Sequence, residues 1–149
     1  MLIDVLIQLY ERDLAKLRTE IEQYADEADL WKTSGEITNS AGNLTQHLTG
    51  NLKHFIGAVL GGSDYVRNRD SEFADRNMSR DEMLADIDTT AAVIKSTLAK
   101  LTSDDLAKTY PIEVFGHPMP TEYFVTHLAT HFNYHLGQIN YHRRLLSVD

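Results

Sequence analysis

His127-Leu-Ala-Thr-His131-Phe-Asn-Tyr-His135-Leu-Gly-Gln138 is the stretch on which the reading of this chain turns. Three histidines recur at every fourth position inside a segment with helical patterning. An α-helix advances about 3.6 residues per turn, so residues four apart stand nearly one above the other. Two imidazoles at that spacing can converge on one divalent cation, with metal–nitrogen bonds of about 2.0–2.1 Å. Three in a row on one stripe are an odd filling for an ordinary core. The expectation is that two of them hold a metal and that an earlier helix supplies a third ligand.

Outward from this stretch, the last helix is expected to begin near Pro120, a residue suited to a first helical turn, and to end near Leu146. His142, beside Arg143 and Arg144, is read as complementing the negative end of that helix. Before it, 111–120 has the only strand-like character, but its closely spaced prolines around Gly116 favour a loop or small hairpin. His117 in that loop is read as exposed. Thr102-Ser-Asp-Asp suggests a short capped turn. Ser79 with Glu82 makes a capping box for a helix reaching about Lys100, with Met83, Ile87, Ala91, Ile94, Leu98 and Leu101 inward. Residues 61–78 are polar, carry charges of both signs and read as a solvated crossover connection.

Ser40 is a plausible N-cap for a helix reaching about Leu60, with Gly61-Gly62 as its stop. Its apolar stripe is Leu44, Leu48, Leu52, Phe55 and Val59. A second stripe, Asn43, His47, Asn51 and His54, adjoins that core face. Polar groups so placed cost stability unless they find partners. Because the last helix presents a ligand pair that needs completion, His47 is the candidate third ligand; Asn43 and Asn51 either orient it or cap a turn or meet solvent. Residues 26–39 break the pattern, and Trp31 there either pins the loop to the bundle or walls a pocket. The first helix, from 2 to about 25, carries Ile3, Ile7, Tyr10, Leu14, Leu17, Ile21 and Tyr24 inward. Glu11, Arg12, Asp13, Lys16, Arg18 and Glu20 form its solvated face.

The bulk composition narrows the function. One domain spanning 1–149 is the simplest organisation for a chain of 149 residues that is 42% hydrophobic and 24% charged. Its formal charge of −8 and the lack of a basic run argue against nucleic acid or an anionic membrane as partner. With no cysteine, thiolate ligands, disulfides and a cysteine nucleophile are excluded. No apolar run approaches the roughly 20 residues of a membrane span. The apolar start lacks the basic region of a signal peptide, since the first basic residue is Arg12, so a cytoplasmic protein is expected. Glu-x-x-His pairs, HExxH, the Walker loop and the GxSxG elbow are absent. A bis-histidine haem would leave one histidine of the cluster idle.

Spacing alone does not choose between His127/His131 and His131/His135. His47 within Asn-Leu-Thr-Gln-His-Leu-Thr-Gly-Asn, with His131-x-x-x-His135-x-Gly137-Gln138, resembles the DinB/YfiT-like superfamily of metalloenzymes across the whole chain. The resemblance implies an all-α, up-down-down-up four-helix bundle, often paired as a homodimer. It also implies one divalent ion, zinc or nickel, held by His47, His131 and His135. His127 then becomes a pocket group assisting proton movement, or simply a core histidine, and Gln138 a group bonded near the site.

Three neutral imidazoles leave a coordination position open, which points to catalysis rather than a closed structural site. The first expectation is thiol S-transferase chemistry, a low-molecular-weight thiol acting on a small electrophile, which the resemblance supports. The alternatives are a metal-dependent hydrolase of a small molecule, and a non-catalytic ligand-binding or dimerisation bundle.

Overall fold

The computed structural model describes residues 1–147. Four long helices form the frame: α1 (Leu2–Gln23), α2 (Ala41–Leu52), α4 (Arg80–Leu98) and α6 (Thr121–Leu146). Two short ones sit in the connections: α3 (Arg69–Ala74) and α5 (Ser103–Ala107). A 3₁₀ turn, Glu27–Trp31, follows α1, and α2 runs straight on into a π-helical turn, Lys53–Ala58. Among the described residues there is no strand, only two isolated bridges, so 111–120 is a loop closed by Thr109 against Pro120.

Cross-helix contacts fix the directions. Tyr10 Oη donates to the Val125 carbonyl and Tyr24 Oη to that of Ile139, so α1 and α6 run parallel. Lys95 pairs with Glu11, while Arg80 Nη2 donates to the Tyr24 carbonyl, which makes α4 antiparallel to α1. Lys53 meets Asp86 and Gly57 lies against Val93, so α2 and α4 are parallel. The bundle is up-down-down-up, as the family resemblance implies. Between the helices Leu6, Leu17, Ile21, Leu48, Leu52, Ile87, Leu98, Phe124, Phe132 and Ile139 are buried. Burial of each such side chain is worth roughly 1.5–3 kcal/mol, ample to hold the bundle without help from the polar site.

Local signals act where expected. Ser40 Oγ accepts the Asn43 amide at the start of α2, and Ser79 with Glu82 closes a capping box on α4. Thr102 with Asp105 makes a second box on α5. Gly62, at φ +70°, turns the chain out of the π-helical segment.

Three expectations need correction. Asp13 and Glu20 do not belong to a solvated face: both are buried against α6, where Asn133 Nδ2 donates to Asp13 at 3.0 Å. Asn140 Nδ2 and Arg143 Nε each donate to Glu20 at 2.6 Å. The connection 61–78 is not merely solvated surface, because α3 within it buries Glu72 against α2. His142 is not a loose complement to a helix end: its Nδ1 meets Tyr24 Oη at 2.6 Å and its Nε2 the Lys32 carbonyl at 2.9 Å. It ties the segment after α1 to α6.

Candidate metal centre

The antiparallel packing of α2 on α6 brings the middle of one against the middle of the other. Leu44, Leu48 and Leu52 bury one stripe of α2, and the neighbouring stripe carries His47 inward at 6% exposure. On α6, Leu128, Phe132 and Leu136 are buried, and His131 and His135 emerge beside them on successive turns. The three imidazoles meet there. Ring centroids lie 5.0 Å apart for His47 and His131, 5.4 Å for His47 and His135, and 4.6 Å for His131 and His135. One nitrogen from each falls within 4.8 Å of the other two, a grouping that can hold a metal ion.

The protein fixes which nitrogen of each outer histidine faces the centre. His47 Nδ1 lies 3.1 Å from Glu72 Oε1; a carboxylate only accepts, so Nδ1 carries the proton and Nε2 presents its lone pair inward. His135 Nδ1 donates likewise to Gln138 Oε1 at 2.7 Å. Backing of this kind sets ligand tautomer and basicity at metal sites. Glu72 is itself gripped by Arg67, whose Nε and Nη2 each donate at 2.9 Å. Burial by itself would raise the Glu72 carboxyl, but the bonds from His47 and Arg67 hold it below the usual carboxylate range. The connection therefore carries a charged clamp behind His47.

Two observations test the fit of a cation. His47 Nε2 and His131 Nε2 stand 3.1 Å apart. Two nitrogens bound to one ion at about 2.0–2.1 Å are separated by roughly 2.9–3.4 Å at octahedral to tetrahedral angles. In addition, His131 Nδ1 is buried with no hydrogen-bond partner. A cation at the cluster would be ligated through His131 Nε2, the nitrogen that faces His47, in place of the imidazole–imidazole contact, while Nδ1 has no partner in either case. Burial and then the neighbouring His135 and His47 push the His131 imidazole down to about 4, which keeps it in its neutral form. His135 is lowered as well, by burial first and His47 after it, against the Gln138 bond. Neutral imidazoles are the form that ligates metals.

The remaining candidates are placed less centrally. His127 stacks its ring 6.5 Å from that of His131 and meets Phe115 edge-on at 4.9 Å, with no hydrogen bond among the described residues. His54 is half-buried, edge-on to Phe55, and lowered by burial and by Arg67; it stands outside the cluster. His117 is exposed on its loop. Asn43 does not touch His47: its Nδ2 donates to the carbonyls of Glu72 and Asp75, as does Gln46 Nε2, which seats α3 on α2. It positions His47 only through Glu72. Asn51 Oδ1 is buried without a partner. Trp31 lies flat against Gly42 of α2, where a Cβ would come within 2.5 Å of its ring, so it pins the loop.

Sequence reasoning missed Glu72, Arg67 and Gly50. A Cβ at Gly50 would fall on the Glu72 carboxylate, so the bare backbone there is what admits the clamp. The pattern offered one faint signal, a glycine within α2 one turn after His47.

No curated protein matches the chain. Two solved structures share its fold: a DinB-like protein from Bacillus cereus ATCC 10987 and a conserved protein from Enterococcus faecalis. The first has a TM-score of 0.76 at 16% identity, covering 97% of this chain and 92% of that one. The second also has 0.76, at 14% identity, covering 95% of each. At such identities the likeness speaks for the fold, and it agrees with the resemblance drawn from the histidine motif. A family model described as "Protein of unknown function (DUF1572)" matches residues 3–149. The chain belongs to the DUF1572 family and has the DinB-like four-helix fold.

Proposed function

We propose that this chain is a metal-dependent thiol S-transferase, in which His47, His131 and His135 hold one divalent ion, zinc or nickel. The observation that carries the reading is the convergence of three imidazoles, two of them backed by Glu72 and Gln138, with the Nε2 atoms of His47 and His131 3.1 Å apart. When bound, the ion would supply Lewis acidity that eases loss of a proton from a thiol or a water. The thiol sulfur of a low-molecular-weight cosubstrate forms a bond to the electrophilic carbon of a small molecule. The bond to the leaving group breaks with its electron pair, and the thiol proton passes to a base or to solvent. His127, one turn from His131 and with its ring free of hydrogen bonds among the described residues, is assigned to that proton.

Hydrolysis is less well supported. It asks for a group to take a proton from water, and the buried carboxylate beside the cluster, Glu72, is already held by His47 and Arg67. A cytoplasmic setting and a homodimeric assembly belong to the same proposal, the dimer resting on family resemblance alone.

The deciding assay loads untagged protein with zinc or nickel and supplies small thiols with 1-chloro-2,4-dinitrobenzene. Thiol-dependent product from wild type, falling to background in His135→Ala, is the expected result. Turnover of p-nitrophenyl acetate that needs the metal and ignores thiol would overturn the transferase in favour of the hydrolase. No turnover in either assay would leave a bundle that binds without reacting.

A further inference from the structure

A groove of about 680 Å3 runs beside the histidine cluster, between segment 36–39 and the C-terminal half of α6. His135 and Gln138 stand in its wall, so it is continuous with the candidate metal centre. Its surfaces are apolar and aromatic: Leu44 buried in the wall, with Ile37, Tyr134, Tyr141 and Leu145 around it, the two tyrosines more than 60% exposed. Such large side chains left in water mark a surface that gains from being covered.

The charges select the occupant. No lysine or arginine lines the groove among the described residues, and the one carboxylate is Glu36. His142 is occupied by Tyr24 and the Lys32 carbonyl. A smaller hollow shares Ile37, His142 and Leu145 and adds Lys32, but that ammonium pairs with Asp29 at 2.6 Å. An anion entering here would lose hydration and find no cation in the lining, the Arg144 guanidinium lying over the Tyr141 ring 5.8 Å from its centroid.

Gly137 is an independent observation. It sits within α6 on the groove, where glycine is less favourable than alanine. A Cβ there would meet nothing within 4 Å, so packing inside this chain does not call for a glycine. Its bare backbone leaves room for close approach from the groove.

We propose that this groove receives the uncharged, apolar body of the electrophile, with its reactive end beside His135. The proposal rests on the three-histidine reading for the identity of that end, but the groove is tested without metal. Its volume lies in the range of small-molecule pockets.

The test uses two dyes of one skeleton, neutral N-phenyl-1-naphthylamine and anionic 8-anilinonaphthalene-1-sulfonate, titrated into metal-free wild type, Gly137→Ala and Tyr141→Glu. Wild type is expected to bind the neutral dye at least about tenfold tighter than the anion. The 15N shifts of the His135 imidazole should move while those of exposed His117 stay fixed. Gly137→Ala should raise the melting temperature by helix propensity and yet weaken the neutral dye severalfold, two effects of opposite sign. Tyr141→Glu should weaken it further. Equal affinity for the anion, or unchanged binding in Gly137→Ala, overturns the proposal. So does mass doubling by light scattering that abolishes dye binding, since a second copy would then be the occupant. Neutral-dye selectivity in a protein that takes up no metal would keep the groove and sink the three-histidine reading instead.

Discussion

Helix α6 meets buried polar side chains of its neighbours on two of its faces, Asp13 and Glu20 of α1 on one and His47 of α2 on the other, and the chain treats them in opposite ways. Toward α1, Asn133, Asn140 and Arg143 meet Asp13 and Glu20, and those contacts are made wholly within the protein. Toward α2, His131 and His135 meet His47, nitrogen facing nitrogen, and His131 Nδ1 is buried with no partner. The first face obeys the rule that buried polar groups are paired. The second departs from it, on the same helix and among equally well-packed leucines. Stability explains the first face. The second is an arrangement that can hold a metal ion.

Breaking the paired face should cost the most stability. Glu20→Ala strands Asn140 and Arg143, and it is expected to lower the unfolding free energy by about 2–3 kcal/mol, measured by urea denaturation. Metal affinity should hardly change. A metal affinity that collapses with Glu20 would mean the two faces are not separate.

Gly50→Ala attacks the clamp behind His47. Its methyl would displace the Glu72 carboxylate from His47 and Arg67, and groups backing a ligand typically matter 10–100-fold in metal affinity. Chelator competition should show a loss on that order, roughly 1.4–2.7 kcal/mol, with the bundle still folded by circular dichroism. Glu72→Gln should weaken the metal in the same direction, because a neutral amide supports His47 less strongly than a carboxylate.

His131→Leu sharpens the contrast by a change of sign. It removes the unpaired buried atom, so the metal-free protein should become more stable by about 1 kcal/mol. Metal binding should vanish. If the metal-free protein instead loses several kcal/mol, the histidine belongs to a satisfied network and the comparison fails.

The smallest effect is the pH response of the metal-free protein. His131 is held near 4, against an ordinary value of 6.5 in the unfolded chain, so between those values the unfolded state binds more protons. This histidine's contribution is therefore intact above about 6.5 and is lost as pH falls toward about 4. Melting temperature should decline across that window, and the decline should be shallower in His131→Leu.

Much of the frame was legible because it depends on repeated, short-range signals. The leucine and isoleucine spacing of α1, α2 and α4 sets their inward faces, and Ser40 and Ser79 mark the starts of α2 and α4. The histidines showed through because four-residue spacing is itself the geometry of convergence. What stayed hidden depends on distant pairs. Asp13 and Glu20 border an apolar stripe and read as solvated until matched with Asn133 and Asn140, which share their spacing of seven. Glu72 lies on a helix of six residues, too short for any periodicity to show. Its burial follows from Arg67, Asn43 and Gln46, none of which is adjacent to it in sequence.

The most direct test is metal content by elemental analysis of untagged protein, for wild type beside His47→Ala and His135→Ala, each checked for helical content. The account predicts about one equivalent of zinc or nickel in wild type, as a single three-histidine site requires. Both variants should be nearly empty, with the helical bundle intact. A wild type that takes up no metal after reconstitution, or variants that carry as much as wild type, would contradict it.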